Sequence, residues 1–273
     1  MEHNTLYVVG TPIGNMGDMS PRAVQTLEAV DFIAAEDTRV TVKLLNHFNI
    51  KKPMVSYFEH NKHDKGEKII ERILSGESCA VVTDAGMPCI SDPGEDLIRQ
   101  CEQAGIRTVV VPGPSAAISA LAVSGLETGR FTFEGFLSVN KKSRSEHLES
   151  LRDERRTMIF YEAPHKLPNT LKDLYENFGD RKLTIARGLT KLHEEIIRAT
   201  TKDALRYIDE PLKGEIVLIL EGKKDQDSSE ITLEEAVAYA QKLIDNGMRP
   251  TDASKEAAAM AGLKKNDIYR ELL

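Results

Sequence analysis

The apolar positions of this chain fall in short continuous runs that alternate with stripes at helical spacing. Leu6 to Gly10 is the first run, a short buried strand, and it enters a turn rich in Gly and Pro. Ser20 before Pro21 then reads as a helix start, because a Ser side chain caps free N–H groups and Pro fits the first helical position. Ala23, Val24, Leu27 and Val30 lie along one face of that helix. Phe32 to Ala35 and Met54 to Phe58 are the next strands, and Ile69, Ile70, Ile73 and Leu74 mark the buried face of a helix. Ser78 to Thr83 is a strand. Asp92, Pro93 and Glu95 form a capping arrangement for another helix, and Arg107 to Val111 is a strand. Strands that are apolar throughout and alternate with helices predict a mostly parallel sheet covered on both faces.

The pattern then restarts. Ser115 to Ser124 is a small-residue helix, and the polar stretch Gly125 to Arg130 reads as a joint. Phe131 to Leu137, Thr157 to Tyr161, Leu183 to Ala186 and Glu215 to Leu220 are the strands of a second set. Lys223 to Glu230 is charged and Ser-rich, which reads as a linker. Beyond it, Thr232 with Glu235 is a capping box, and Ala236, Val237, Ala240 and Ile244 form a stripe ending near Asn246 and Gly247. A second helix is expected from Asp252 to Ala261, and a short third after Gly262. The expected organisation is an α/β domain over residues 1–114, a second over 115–222, and a small helical tail over 231–273.

Composition narrows the class. With 273 residues and 41% hydrophobic residues, the chain is globular and long enough for more than one core. Its three cysteines, Cys79, Cys89 and Cys101, form no close pair, which fits a reducing, cytoplasmic setting. No signal peptide and no membrane-spanning stretch is expected. The net charge of −7 argues against nonspecific coating of nucleic acid, but leaves room for a local basic surface. Lys141, Lys142 and Arg144, then Arg152, Arg155 and Arg156, and separately Lys62, Lys65 and Lys68 are candidates for one, or simply solvated helix faces.

Four turns concentrate Gly, Pro and Asp: Gly10 to Asn15, Thr83 to Pro88, Ser91 to Gly94, and Val111 to Ser115. At least three follow directly on strands, where open α/β sheets bind ligands and where glycine lets backbone approach them. The first is neither a Walker A loop nor a G-x-G-x-x-G dinucleotide turn. No HExxH, no Cys/His cluster of zinc spacing and no G-x-S-x-G elbow occurs, so metal and serine chemistry are disfavoured. Glu36-Asp37-Thr38-Arg39 follows the second strand directly and is either a helix cap or a site; Arg187 with Lys191, Glu194 and Glu195 poses the same choice.

Seven motifs occur in order: VVGTPIGNMGDMSPRA (Val8 to Ala23), AAEDTR (Ala34 to Arg39), SYFEHN (Ser56 to Asn61), VTDAGMPCISDPG (Val82 to Gly94), VPGPSA (Val111 to Ala116), FYEAPHK (Phe160 to Lys166) and ARGLTKLHEE (Ala186 to Glu195). Together they resemble the small-subunit ribosomal RNA methyltransferases of the tetrapyrrole methylase superfamily, over nearly all of residues 5–222 and again from Lys255 to Tyr269. The resemblance implies two α/β domains with S-adenosylmethionine (SAM) in the cleft between them, a homodimer, and methylation of the ribose 2′-hydroxyl of cytidine 1402 in 16S rRNA. It places Asp84, Ala85, Gly86, Met87 and Pro88, then Ser91 and Asp92, against the cofactor. Gly113, Pro114 and Ser115 come nearby, Gly10 joins them from the first turn, and Tyr161 and Arg187 to Gly188 come from the second domain. The chain departs from the family pattern at Ala163, Lys166 and Gly188; the last lacks a carboxylate that the family has.

Methyl transfer from a sulfonium needs no metal; it needs alignment and an outlet for the hydroxyl proton. Candidates for the base are Asp37, Glu36 and Glu59, with Arg39 or Arg187 orienting a phosphate or lowering the hydroxyl pKa. The group from Glu36 to Arg39 ranks first because it directly follows a strand. A small-tetrapyrrole methyltransferase and an RNA-binding factor without catalysis are the competing readings. The tail, with Lys255, Lys264 and Lys265, either touches RNA or packs on the body or dimer.

Overall fold

The computed structural model describes residues 2–59, 61–92, 94–210, 212–224 and 232–272. They form two compact units, Met1–Gly222 and Lys223–Leu273.

The larger unit holds two five-stranded sheets. The first consists of β1 (Thr5–Val9), β2 (Phe32–Ala35), β3 (Met54–Ser56), β4 (Cys79–Val82) and β5 (Arg107–Val111) in the order β3-β2-β4-β1-β5. Every pairing in it is parallel. Helices α1 (Pro21–Ala29), α2 (Thr38–His47), α3 (Lys62–Leu74) and α4 (Gly94–Gln103) make the crossovers. Alternate strand residues serve opposite faces. Tyr7 and Val9 pack with Leu27, Leu44 and Leu45 on one side, while Leu6 and Val8 pack with Ile69, Ile73 and Leu97 on the other. Both faces are therefore buried, which is why these strands are apolar without alternation. Ser20 caps α1 as its sequence predicts, its Oγ accepting the Ala23 N–H at 3.1 Å.

The second sheet has the order β6-β7-β10-β8-β9, with β6 (Phe131–Phe136), β7 (Thr157–Glu162), β8 (Lys182–Arg187), β9 (Glu195–Thr200) and β10 (Ile216–Leu220). It is mixed. β6 and β7 are parallel, whereas β10 runs antiparallel to both β7 and β8, and β9 antiparallel to β8. Connection length explains the difference. Helix α6 (Lys141–Ser150) and helix α7 (Leu167–Phe178) provide crossovers after β6 and β7, but the short link from β8 to β9 has no room for one. Helix α5 (Ala116–Ser124) covers one face through Ala117, Ala120 and Leu121, packed on Ile159, Ala186, Val217 and Ile219.

On the opposite face Leu218, fully buried in the central β10, meets Phe160, Leu171, Leu174 and Ile185. Leu218→Ala should cost about 2–5 kcal/mol of stability, read as a lowered urea midpoint at unchanged slope. A shift below about 0.5 kcal/mol, the size of an ordinary surface change, would contradict this packing.

The smaller unit consists of α8 (Leu233–Asp245), α9 (Pro250–Ala261) and α10 (Lys265–Glu271). The capping box is present: the Glu235 N–H donates to Thr232 Oγ1 at 3.2 Å, and the Thr232 N–H to Glu235 Oε2 at 3.0 Å. Ala236, Ala240, Ala253, Ala257 and Ile268 form its core. The expected linker lies outside the described residues from 225 onward. No helix among the described residues is long and apolar enough to cross a membrane.

Candidate active site

The carboxyl ends of β1, β4 and β5 stand side by side at the centre and edge of the parallel sheet, so the turns that leave them converge. Thr11 and Gly86 exchange backbone hydrogen bonds, N–H to O at 2.9 and 3.1 Å, which ties the first turn to the turn after β4. Thr11 Oγ1 also donates to the Thr83 carbonyl at 3.2 Å. Gly10 and Gly113 cross in direct contact. A Cβ on Gly10 would lie 2.7 Å from Gly113 Cα, and one on Gly113 would lie 2.8 Å from Gly10 Cα. Glycine is required there because two backbones occupy the space of a side chain.

Above this floor opens a cavity of about 450 Å³, in the size range of small-molecule sites. Asp84, Ala85, Gly86 and Met87 line it together with Ser91, Asp92 and Ser115. The second sheet contributes Phe136, Tyr161, Glu162, Ala163, Ile216 and Val217. The rim is held in unusual backbone: Cys89 and Ser91 take left-handed φ values of 69° and 65°. Such conformations cost on the order of 1–3 kcal/mol each and persist where the surroundings enforce them. Here Asp92 does so, its Oδ1 accepting the N–H groups of Cys89 at 2.9 Å and Gly94 at 2.8 Å. Asp92 is thus the expected cap of α4 and also part of the cavity wall. Its Oδ2 is buried with no hydrogen-bond partner among the described residues. Burial raises its carboxyl above the usual range.

The group after β2 is both a cap and part of the site. Asp37 caps α2, with Oδ1 accepting the Arg39 N–H at 2.8 Å, and its carboxylate grips the Arg39 guanidinium at 2.7 Å. The Arg39 hydrogen bonds hold the Asp37 carboxyl down at about 2. Glu36 turns the other way, into the cavity wall. Its Oε2 accepts the Thr83 hydroxyl at 2.5 Å and the Asp84 N–H at 3.3 Å, which fixes the turn. Asp84 Oδ1 accepts the Asp37 N–H at 3.2 Å, while Oδ2 has no hydrogen bond among the described residues. Burial, and then the neighbouring Glu36 charge, raise the Asp84 carboxyl above the ordinary aspartate value.

Tyr161 presents its ring to the cavity, and its hydroxyl oxygen accepts the Ala117 N–H at 3.2 Å. The remaining expected residues sit apart from the lining. Gly10, Gly113, Pro88 and Pro114 belong to the converging turns but not to the cavity surface. Asp37, bonded to Asp84 through its N–H, and Arg39 lie outside the lining, and Glu59 is exposed on the loop after β3. Arg187 is engaged by Glu195 at 2.6 Å. Sequence reasoning passed over Ile13, Glu162, Leu189, Glu215 and Phe136, all of which line the cavity. Glu162 carried a signal in its FYEAPHK motif; the apolar residues carried none that separates a cavity wall from a core. Ala163, one of the departures from the family pattern, lines the cavity, and Gly188 takes a left-handed φ of 58°.

This cavity has an uncommon charge. Glu36, Asp84, Asp92, Glu162 and Glu215 line it, and no Lys, Arg or His does so among the described residues. A polyphosphate cofactor would be repelled, whereas a cation is favoured. The described residues also contain no group of His, Cys, Asp and Glu able to hold a metal ion.

The sequence pattern of the family described as tetrapyrrole (corrin/porphyrin) methylases matches residues 5–205. The ribosomal RNA small subunit methyltransferase I of Synechocystis sp. is 45% identical over 267 residues, 97% of this chain and 96% of that protein. The protein of the same name from Xylella fastidiosa is 46% identical over 269 residues, 97% of each chain. The chain belongs to this family. It is a methyltransferase built on the tetrapyrrole methylase fold, with two α/β halves and C-terminal helices. Among solved structures, the uroporphyrin-III-C-methyltransferase of Thermus thermophilus has a TM-score of 0.58 at 19% identity, covering 80% of this chain and 94% of that one. A diphthine synthase reaches 0.62 at 15%, covering 80% and 90%. At these identities the likeness concerns the fold alone.

Proposed function

We propose that this methyltransferase uses SAM to methylate the ribose 2′-hydroxyl of cytidine 1402 in 16S rRNA of the small ribosomal subunit. The observation that carries the cofactor is the charge of the cavity: among the described residues five carboxylates line it and no cationic side chain does, Lys191 pairing with Glu215 from outside the lining. A sulfonium is a cation, and carboxylates at short range favour it more strongly in a half-enclosed cavity than in water. The buried Asp92 Oδ2 is an acceptor left without a donor, a cost of about 1–3 kcal/mol that a ligand N–H or O–H would relieve. Ile13, Met87, Leu189 and Val217 supply apolar wall for a purine ring. The substrate is inferred from the relatives, whose shared name specifies small-subunit rRNA and whose likeness spans nearly the whole chain.

When bound, SAM supplies a methyl already activated on a sulfonium, with a neutral leaving group. The protein holds the acceptor in line and takes its proton, contributions of up to about 7–11 kcal/mol and of roughly 10²–10⁴-fold. Asp84 is the cavity carboxylate best suited to the proton. Glu36 is occupied by Thr83 and Asp84, Glu162 by the Ala163 N–H and the Thr170 hydroxyl, and Glu215 by Lys191; Asp92 holds two N–H groups on Oδ1 and its Oδ2 is buried in the wall, whereas Asp84 is exposed. Asp84 Oδ2 is open, and its raised pKa makes it a stronger base than an ordinary aspartate. Asp37, held down at about 2, is a weak one and acts by positioning Asp84 through its N–H. Arg39, its side chain 88% exposed, stands ready for a backbone phosphate.

Radiolabelled SAM mixed with small-subunit particles from a strain lacking the enzyme should transfer its methyl to 16S rRNA. Transfer to a uroporphyrinogen-type ring with none to RNA would overturn the reading. We further propose a cytoplasmic homodimer, which light scattering should report as twice the 30.4 kDa chain mass, whereas a stable monomer would contradict it.

A further inference from the structure

Strand β6 reads Phe131-Thr132-Phe133-Glu134-Gly135-Phe136. In a regular strand, residues three apart point to opposite faces, so Phe133 and Phe136 would not share a neighbour. The pairing with β7 slips here: Phe133 stands opposite Ile159, Gly135 opposite Phe160, and Phe136 opposite Tyr161. One extra residue therefore brings Phe136 round to the face that carries Phe133 and Tyr161. Both phenyl rings meet the Tyr161 ring, Phe133 edge-on at 5.0 Å and Phe136 tilted at 5.5 Å. Gly135 supplies the left-handed backbone of the slip, φ 62°, and its position faces Ser91 on the opposite rim.

The three rings are graded in exposure. Phe133 and Tyr161 are half-buried, the latter with its hydroxyl engaged, while Phe136 is 57% exposed and lines the cavity. Bulges next to sites commonly re-aim one side chain, and this one delivers an open aromatic face to the cavity mouth. Tyr161 and Phe136 are the two aromatic residues of the lining among the described residues.

We propose that Phe136 is the stacking platform for the base of the nucleotide whose ribose is methylated. The inference rests on the RNA reading above and deepens it. A 2′-hydroxyl that must enter a cavity brings its nucleotide out of the helical stack, and the freed base needs a new face to lie on. Proteins that hold unstacked bases supply aromatic rings for this purpose. Among the described residues no cationic side chain lines the cavity to meet the flanking phosphates, but the exposed Lys141 and Lys142 follow Phe136 at the start of α6. Aromatic platform and cations thus lie on one segment, the ring in the cavity lining and the lysines outside it.

The test uses the full chain and small-subunit particles lacking the modification. Phe136→Ala should lower kcat/KM for the particles by roughly 5- to 150-fold, the span that loss of one base–aromatic stack covers. The Kd for SAM, by calorimetry, should change less than about twofold, since the ring serves the RNA side. Phe136→Trp should keep kcat/KM within about threefold of the parent, and Phe136→Leu should fall with the alanine variant, because stacking needs a π-face. Equal rates for Phe136→Ala and the parent, or a leucine variant as good as tryptophan, would overturn the platform while leaving the function intact. A loss of SAM affinity matching the loss of rate would place the ring against the cofactor instead. A parent chain that methylates no RNA would overturn the function, and the platform with it.

Discussion

Gly86→Val should abolish measurable SAM binding in a chain that still folds. Gly86 has a φ of 88°, where L-residues are strained and a β-branched one most of all. Its N–H and carbonyl are both committed to Thr11, so the backbone cannot rotate away without releasing the first turn. A Cβ would sit 3.4 Å from Ile13 Cγ2 and 3.5 Å from the Pro114 carbonyl, and the valine methyls would extend from it into space the cavity needs. The backbone strain is on the order of 1–3 kcal/mol, within what a domain of ordinary stability absorbs. The turn it displaces carries Asp84, Ala85 and Met87, so a loss of affinity of 100-fold or more is expected, about 2.7 kcal/mol or above. Calorimetry gives the affinity, and far-ultraviolet circular dichroism with a thermal melt gives the fold. A folded variant with parental affinity would remove this turn from the cofactor site.

Asp84→Asn should cut the rate of methyl transfer by roughly 10²–10⁴-fold, the usual worth of a positioned base. The amide keeps the shape of the side chain and can still accept the Asp37 N–H, so the turn should hold. The pH profile gives a second, independent sign. A base works deprotonated, so activity falls as pH drops through its pKa. Burial and the Glu36 charge raise that of Asp84, so the acid limb should lie above the roughly 3.9 of a free aspartate and vanish from the residual activity of the variant. Asp37, held down at about 2, stays ionised across the working range and should leave no limb of its own. If Asp37→Asn removed the limb and Asp84→Asn did not, the roles would be reversed.

The turns are legible in the sequence because Gly, Pro and Asp concentrate at strand ends, although Gly10 and Gly113 serve a backbone crossing and not the lining. Asp84 to Met87, Ser91, Asp92 and Ser115 all line the cavity. Helix starts were legible for the same local reason: Ser20 and the Thr232–Glu235 pair satisfy backbone groups within a turn of themselves. Legibility failed where the deciding contact is distant. Glu36 and Asp37 are adjacent in sequence, yet one points at Thr83 and the other at Arg39, and no local rule separates them. Strand β9 was missed because Glu195 and Arg198 interrupt its apolar residues, as an edge strand allows. With β9 missed, the antiparallel part of the second sheet was missed too. Phe136 has a faint signal, a lone glycine within a strand of three phenylalanines, which marks a bulge; where the bulge aims the ring depends on register with β7.

The reading of this chain as a ribose methyltransferase meets its most direct test at a single nucleotide. Small-subunit particles lacking the modification should be incubated with the purified chain and SAM, and the 16S rRNA digested and mapped by mass spectrometry. The account predicts one added methyl on the ribose of cytidine 1402, absent when Asp84→Asn replaces the parent chain over the same time. A methyl on the base, or on another nucleotide, would contradict it.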